Sequence, residues 1–259
     1  MIGAQTQTPW WVSTAPLIVA SLGAAAAFAW PLLFAADPDD GALSVPLLIV
    51  AIVPALVVVV ALVLDRAVDS AKAIALLGVL AAVASAVRIA STGIGGMEAV
   101  FVVLILGGYV FGPRFGLLLG MLTIATSAAL MGGFGPWTAF QMFAAGWVAA
   151  GAGLLPRKTE ARASIRVIAL LVAYGIIASY LFGAIMNLWF WPFAVGTITT
   201  LGYIPGAPFA INLEHFVAYT LITSTLTWDT VRAVTTTIGL IVVGPMALSA
   251  LNRAKLDRI

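Results

Sequence analysis

Hydrophobic runs about as long as a bilayer is thick follow one another along the whole chain, each closed by a short polar or Gly/Pro-rich break. A helix needs roughly 20 apolar residues to cross the hydrocarbon core. The runs are Ala15 to Ala36, Leu43 to Leu64, Ala71 to Ala90, Ala99 to Phe111, Phe115 to Met131, Trp137 to Leu155, Val167 to about Trp189, and Val231 to Leu251. They are continuous rather than alternating, so the pattern is that of spanning helices and not of a closed barrel. Hydrophobic residues make up 63% of the 259 and charged residues only 8%, with a mean hydropathy of +1.13. No ordinary water-soluble domain has that balance. The expected class is an all-α polytopic membrane protein.

The breaks predict which ends meet water. Asp37, Pro38, Asp39 and Asp40 form an acidic turn between the first two runs, and such a turn cannot stay in lipid. Asp65, Arg66, Asp69 and Lys72 make the next break, and the chain divides there into residues 1–66, with two spans, and a core over 67–259. Ser91 to Gly96, Gly112–Pro113–Arg114 and Gly132 to Pro136 read as tight turns between packed helices. The loop Arg157, Lys158, Arg162, Arg166 is the most basic in the chain. Threading the spans so that Arg66, Lys72, Arg114, this loop and the tail Arg253, Lys255, Arg258 lie inside puts both termini in the cytoplasm. The expected location is the cytoplasmic (inner) membrane.

Two regions fit this threading less simply. The run Ala99 to Phe111 is short, as in a helix that is tilted or partly buried. After Trp189 the chain is aromatic and irregular through Trp191, Pro192, Tyr203, Pro205 and Pro208, and His215 to Trp228 is short for a span. The expectation is an outer interfacial or re-entrant segment near 203–228. Ala15 to Ala36 lacks a basic leader and reads as a retained helix rather than a signal peptide.

The net charge of +2 comes from twelve Lys and Arg scattered over many loops. They report topology, and no nucleic-acid partner is expected. Cysteine is absent, which removes thiolate nucleophiles and ligands. No Walker A loop, HExxH, GxSxG or paired metal-binding carboxylate motif occurs, so no catalytic residue, metal site or cofactor is assigned. The chain is not expected to be an enzyme or to hydrolyse ATP itself.

What remains is a small set of polar and aromatic residues inside or beside apolar runs. Arg88 and Glu98 flank the Gly93 to Gly96 turn, where they would form either a structural ion pair or a ligand contact, because intramembrane charge is costly. Asp229 and Arg232, three residues apart, carry the same two readings. Gln141 and Asn187 are amides that need partners, commonly as interhelical links. His215 beside Glu214 reads as an interfacial polar pair. Trp137, Trp189, Trp191, Tyr203, Tyr219 and Trp228 fall at the expected outer side, either as an interfacial belt or, together, as the mouth of a pocket for a flat organic ligand. Ala67, Ala71 and Ala75, and then Gly78, Ala82, Ala86 and Ala90, recur at four-residue spacing. Such rows permit close approach by another helix, within the chain or from a partner.

From Ala71 onward the sequence resembles the substrate-binding S components of energy-coupling factor (ECF) vitamin transporters, in particular their actinobacterial branch. The resemblance lies in the stretch Arg88 to Glu98, the Leu106 to Gly116 turn, Gly135 to Met142 with the small-residue helix that follows, and Trp228–Asp229 with Arg232. It implies a six-helix binding core that captures a vitamin or related micronutrient and docks on a transmembrane T component driven by two cytoplasmic ATPases. A corrinoid such as cobalamin is the favoured cargo. The resemblance further implies that Ala71 and Ala75 touch the T component. The expected pocket comprises Arg88, Glu98, Trp137, Gln141, Asn187, Trp191, Tyr219, Asp229 and Arg232. The two N-terminal spans depart from the six-helix pattern. Two other classes stand beside this one: an intramembrane lipid-modifying enzyme and a structural or assembly protein.

Overall fold

A peptide group inside a bilayer has no water to bond, so an apolar chain must close its hydrogen bonds within each segment. The computed structural model does so with helices. It describes residues 10–33, 52–57, 71–91, 98–156, 164–194 and 199–254, and no strand occurs among them. The main elements are α1 (Trp10–Phe28), α2 (Trp30–Leu33), α3 (Ala71–Ser91), α4 (Val100–Phe111), α5 (Pro113–Met131), α6 (Thr138–Leu154), α7 (Ile165–Phe190), α8 (Phe209–Thr220), a π-helical stretch (Leu221–Asp229), α9 (Thr230–Val242) and α10 (Gly244–Ala254). Helices α3 and α5, and α7 with the 3₁₀ turn Trp191–Phe193, are each long and apolar enough to cross a membrane. The bent pair Phe209–Val242 and Gly244–Ala254 makes a fourth candidate. The chain is therefore a helical membrane protein.

Local chemistry sets the ends of these helices. Gly112, at φ 102°, turns the chain between α4 and α5, and Pro113 starts α5 where its missing N–H costs nothing. Gly132, at φ 65°, closes α5 in the left-handed conformation. The Ser164 side chain caps α7 by accepting from the Val167 backbone N–H.

The expected runs from Ala71 to Trp189 fall within a few residues of observed helices. Two expectations are corrected. The first run does not continue unbroken: α1 stops at Phe28 and α2 begins afresh at Trp30, next to Pro31. The expected separation of a His215 to Trp228 segment from a Val231 to Leu251 span is absent, because residues 209–242 form one continuous helix. The break comes after Val242, where the axis turns by 66°. Pro245 supplies the reason: it cannot donate to Ile241, and its ring crowds that carbonyl. Most of the second run and the turn Asp37 to Asp40 lie outside the described residues, as do Arg66, Ala67, the 92–97 turn, the 157–163 loop and residues 255–259.

The short α4 is the centre of the bundle. Ten of its residues are buried, among them Phe101, Leu104, Ile105 and Val110, which explains why it is apolar all round. Around it, α5 and α6 meet through glycines. A Cβ added to Gly116 or Gly120 would strike the backbone of Ala149 or Ala145, and one on Gly108 of α4 would also strike Ala149. At the far end of α6, Gly153 abuts the Gly112–Pro113 turn. Helix α1 joins this unit: Phe28 packs on Phe140 and Trp147, and the Arg114 guanidinium donates to the Thr14 hydroxyl. Trp30 of α2 meets Tyr203 edge-on.

These contacts give the bundle two distinct ends. One holds the Gly112 turn, the C-terminus of α6 and the N-termini of α3, α5 and α7. The other holds the C-termini of α3, α5 and α7 together with the N-termini of α4, α6 and α8. The polar residues gather toward this second end.

Candidate functional site

The α7–α9 contact is built on a four-residue row along α7: Gly175, Ser179, Gly183 and Asn187. Gly175 receives Thr236 and Leu240, the Ser179 carbonyl receives Arg232, and Gly183 receives Asp229. The row runs antiparallel to the long helix, and its small members make room for charged side chains. A Cβ on Gly183 would overlap the Asp229 carboxylate.

Arg232 is 7% exposed and Asp229 1%. Their burial is offset by a dense set of bonds. Arg232 Nη1 donates to Asp229 Oδ1 at 2.6 Å and to the Ser179 carbonyl at 3.1 Å, while Nε donates to Glu98 Oε2. Ser224 Oγ donates to the other Asp229 oxygen at 2.5 Å. The Arg232 Cζ lies 4.9 Å from the ring centre of Phe182 and 5.6 Å from that of Phe101, and the two rings meet edge to face. Charge, hydrogen bonds and aromatic faces thus hold one guanidinium at the junction of α4, α7 and α9.

The π-helical stretch makes this possible. Residues five apart on an α-helix lie about 140° apart around its axis, so Ser224 would not face Asp229. A π-helix closes i to i+5 instead, and Ser224 comes to stand over Asp229. The bond from Thr230 Oγ1 to the Thr225 carbonyl, 2.7 Å, spans the same five-residue interval.

A second polar group lies beside α3. Arg88 donates to Ser127 Oγ at 2.9 Å and to Gln141 Oε1 at 3.3 Å, linking α3, α5 and α6. Ser127 Oγ itself donates to the Thr123 carbonyl, and Ser85 donates to that same carbonyl. Glu98, whose side chain is 31% exposed, is ion-paired with Arg232 and belongs to the first cluster.

Of the nine residues expected to line a pocket, the structure joins Arg88 with Gln141, and Glu98 with Asp229 and Arg232. Asn187 is buried one turn beyond Gly183, and its Nδ2 has no hydrogen-bond partner among the described residues. Thr220 Oγ1, one turn before Ser224, is in the same state. Trp191 is fully enclosed: its Nε1 donates to the Leu201 carbonyl, and Tyr203 and Phe216 pack on its ring. It ties Leu201 and Tyr203 to Phe216 of α8. Trp137 is largely open, with its ring folded over Gly135, and the Tyr219 carbonyl accepts from Thr223 within its own helix. His215 Nδ1 bonds the Gly202 carbonyl. No group of three or more His, Asp or Glu side chains is placed to hold a metal among the described residues.

Sequence reasoning missed Ser127, Ser179, Ser224, Phe101, Phe182 and Gly183. The α7 row was legible as a four-residue repeat of small and polar residues. Ser224 was not, because a five-residue interval carries no meaning on an ordinary helix.

Fold and site together define a helical membrane protein with ion-paired and hydrogen-bonded side chains gathered toward one end of its bundle. Comparison with protein-family models, with curated protein sequences and with solved structures found no match.

Proposed function

We propose that the chain is the substrate-binding subunit of an ECF-type importer of the cytoplasmic membrane, capturing a vitamin or related micronutrient, with a corrinoid such as cobalamin the favoured cargo. One observation carries this reading: the charged and amide groups of α3, α6, α7 and α9, with Glu98 just ahead of α4, converge toward one end of the bundle. Convergent polar groups in an apolar setting are what a high-affinity site for a small organic molecule requires. Intramembrane charges are retained chiefly where they are used.

Topology supports the direction of capture. Lys72, Arg114, Arg166 and Arg253 begin α3, α5 and α7 or lie on α10, at the end opposite the clusters. The positive-inside rule then turns the polar end outward and leaves both termini in the cytoplasm. Ala71 and Ala75 of α3 are exposed, as docking on a T component and its two ATPases requires. The six-helix core with two additional N-terminal spans belongs to this reading, and α1 rides on the core through Phe28 and Thr14.

Mass spectrometry of small molecules retained by the detergent-purified full chain tests the proposal. A stoichiometric vitamin, displaced by its own excess, is the expected result. A chain that retains nothing and ignores a vitamin panel overturns it.

A further inference from the structure

The Glu98–Arg232 ion pair is incomplete in a specific way. A guanidinium presents Nε–H and one Nη2–H as a parallel fork, and a carboxylate ordinarily fills it with both oxygens. Here only Glu98 Oε2 is engaged, on Nε. Nη1 is taken by Asp229 and by the Ser179 carbonyl. Nη2 has no acceptor among the described residues, and it is not one of the partnerless polar atoms sealed inside the protein. Glu98 Oε1 likewise has no hydrogen-bond donor there. The rest of the cluster is closed, since both Asp229 oxygens are bonded. At its open edge, a donor on a buried side chain and an acceptor on a partly exposed one belong to two groups already joined through Nε and Oε2.

That pair of vacant positions has a chemical complement. A carboxylate offers two acceptors and would set one against Glu98 Oε1. An ammonium or amidinium offers only donors and would set one against Nη2. A carboxamide, or the cis-amide of a lactam, offers a carbonyl oxygen to Nη2 and an N–H to Oε1 in one planar group. Formal charge points the same way, because Arg88 and Arg232 are balanced by Glu98 and Asp229, so a neutral group adds no uncompensated charge.

We infer that the open edge of the Glu98–Arg232 pair is a recognition point for a neutral carboxamide or cis-amide group of the ligand. This inference rests on the binding-subunit reading and names the chemistry of its ligand. A corrinoid, which carries primary carboxamides around its ring, meets that requirement.

Three probes of nearly equal shape test it: benzamide, benzoate and benzamidinium, titrated into the detergent-purified full chain by calorimetry. Benzamide is expected to bind at least about tenfold more tightly than either ion, the effect of one mismatched charged hydrogen bond. Glu98→Gln turns the acceptor position into a donor. It is expected to weaken benzamide by about tenfold and to strengthen benzoate, a gain that an unfolded protein does not produce. Should that variant not fold, Glu98→Asp, which withdraws the carboxylate by one methylene, is expected to weaken benzamide without any gain for benzoate.

Tightest binding of benzoate or benzamidinium, no saturable benzamide binding, or unchanged preferences in both variants overturns the assignment. Retention of a vitamin whose affinity ignores Glu98→Gln sinks this inference but leaves the binding-subunit reading standing. Failure of the vitamin panel as well removes both.

Discussion

Two helix contacts of the bundle, α5 on α6 and α7 on α9, are closed by opposite means. Between α5 and α6 side chains are withdrawn, and Gly116 and Gly120 let backbone touch the backbone of Ala149 and Ala145. Between α7 and α9 the small residues of α7 admit side chains instead, and Arg232, Asp229 and Ser224 fill the space with charge and hydrogen bonds. Lipid tails are as apolar as leucine, so helices in a membrane are held by close packing and polar bonds rather than by hydrophobic exclusion. The first contact rests on close packing of backbone on backbone. The second depends on ion pairs and hydrogen bonds, and a π-helical stretch next to it brings Ser224 over Asp229. In the proposed function the first contact is the frame and the second carries the ligand.

The sharpest way to break this distinction is to place a side chain in the frame. Gly120→Val puts a branched side chain into the Ala145 carbonyl, which has no room to retreat because Gly146 is packed on Leu117. The expected cost exceeds about 4 kcal/mol, read as loss of monodisperse protein in detergent. A well-folded Gly120→Val variant would remove the claim that this contact is rigid.

Next in size is Asp229→Ala. It strands Ser224 and leaves Arg232 with Glu98 as its one ionic partner, at a cost of about 3 kcal/mol for breaking a buried pair. Thermal melting in detergent measures it. The companion change Asp229→Asn retains the shape and should cost less, because an amide oxygen still accepts from Arg232. Equal losses for the two variants would mean that volume rather than charge holds the contact.

Gly183→Ala is smaller again and more selective. One methyl group forces the Asp229 carboxylate to shift, for about 1 to 3 kcal/mol of overpacking. Because Arg232 follows Asp229, ligand affinity should fall by about tenfold or more even where the melting temperature moves little. A variant of normal affinity would show that the position of Arg232 does not set the site.

These predictions rest on features of unequal legibility. The helices between Ala71 and Trp189 were readable because apolar runs and Gly/Pro turns have direct physical causes, and Gly112 and Gly132 act as such turns should. The end of the chain was misread at Thr227–Trp228–Asp229, whose polarity imitates a loop. Burial of Asp229 against Gly183 and Arg232 removes the need for one, and the true interruption is Pro245. Among site residues, Arg88, Glu98, Asp229 and Arg232 stood out as charges in apolar surroundings. Sequence proximity sets Glu98 near Arg88, as an ion pair or a ligand contact, whereas the fold bonds it to Arg232, 134 residues away. Trp191 illustrates the same limit. An aromatic residue near a membrane surface reads as an interfacial belt, yet this one is enclosed because the Leu201 carbonyl needs its N–H.

The smallest effect on stability is expected from the largest change on an outer face. Ala71, Ala75, Gly78, Ala82, Ala86 and Ala90 are all exposed, and a Cβ on Gly78 would meet nothing within 4 Å. These rows therefore do not serve packing within the described chain, in contrast to the glycines of α5 and α6. Ala75→Leu should change the melting temperature by no more than about 0.5 kcal/mol would, as surface substitutions do, and it should leave ligand affinity unaltered. Uptake in cells that also carry a T component and its ATPases is the discriminating readout. If the row is a docking face, a leucine there separates the two helices and transport is lost while binding persists. If transport continues with Ala71 and Ala75 both enlarged, the small residues merely face lipid, and coupling to a T component must be sought on another helix.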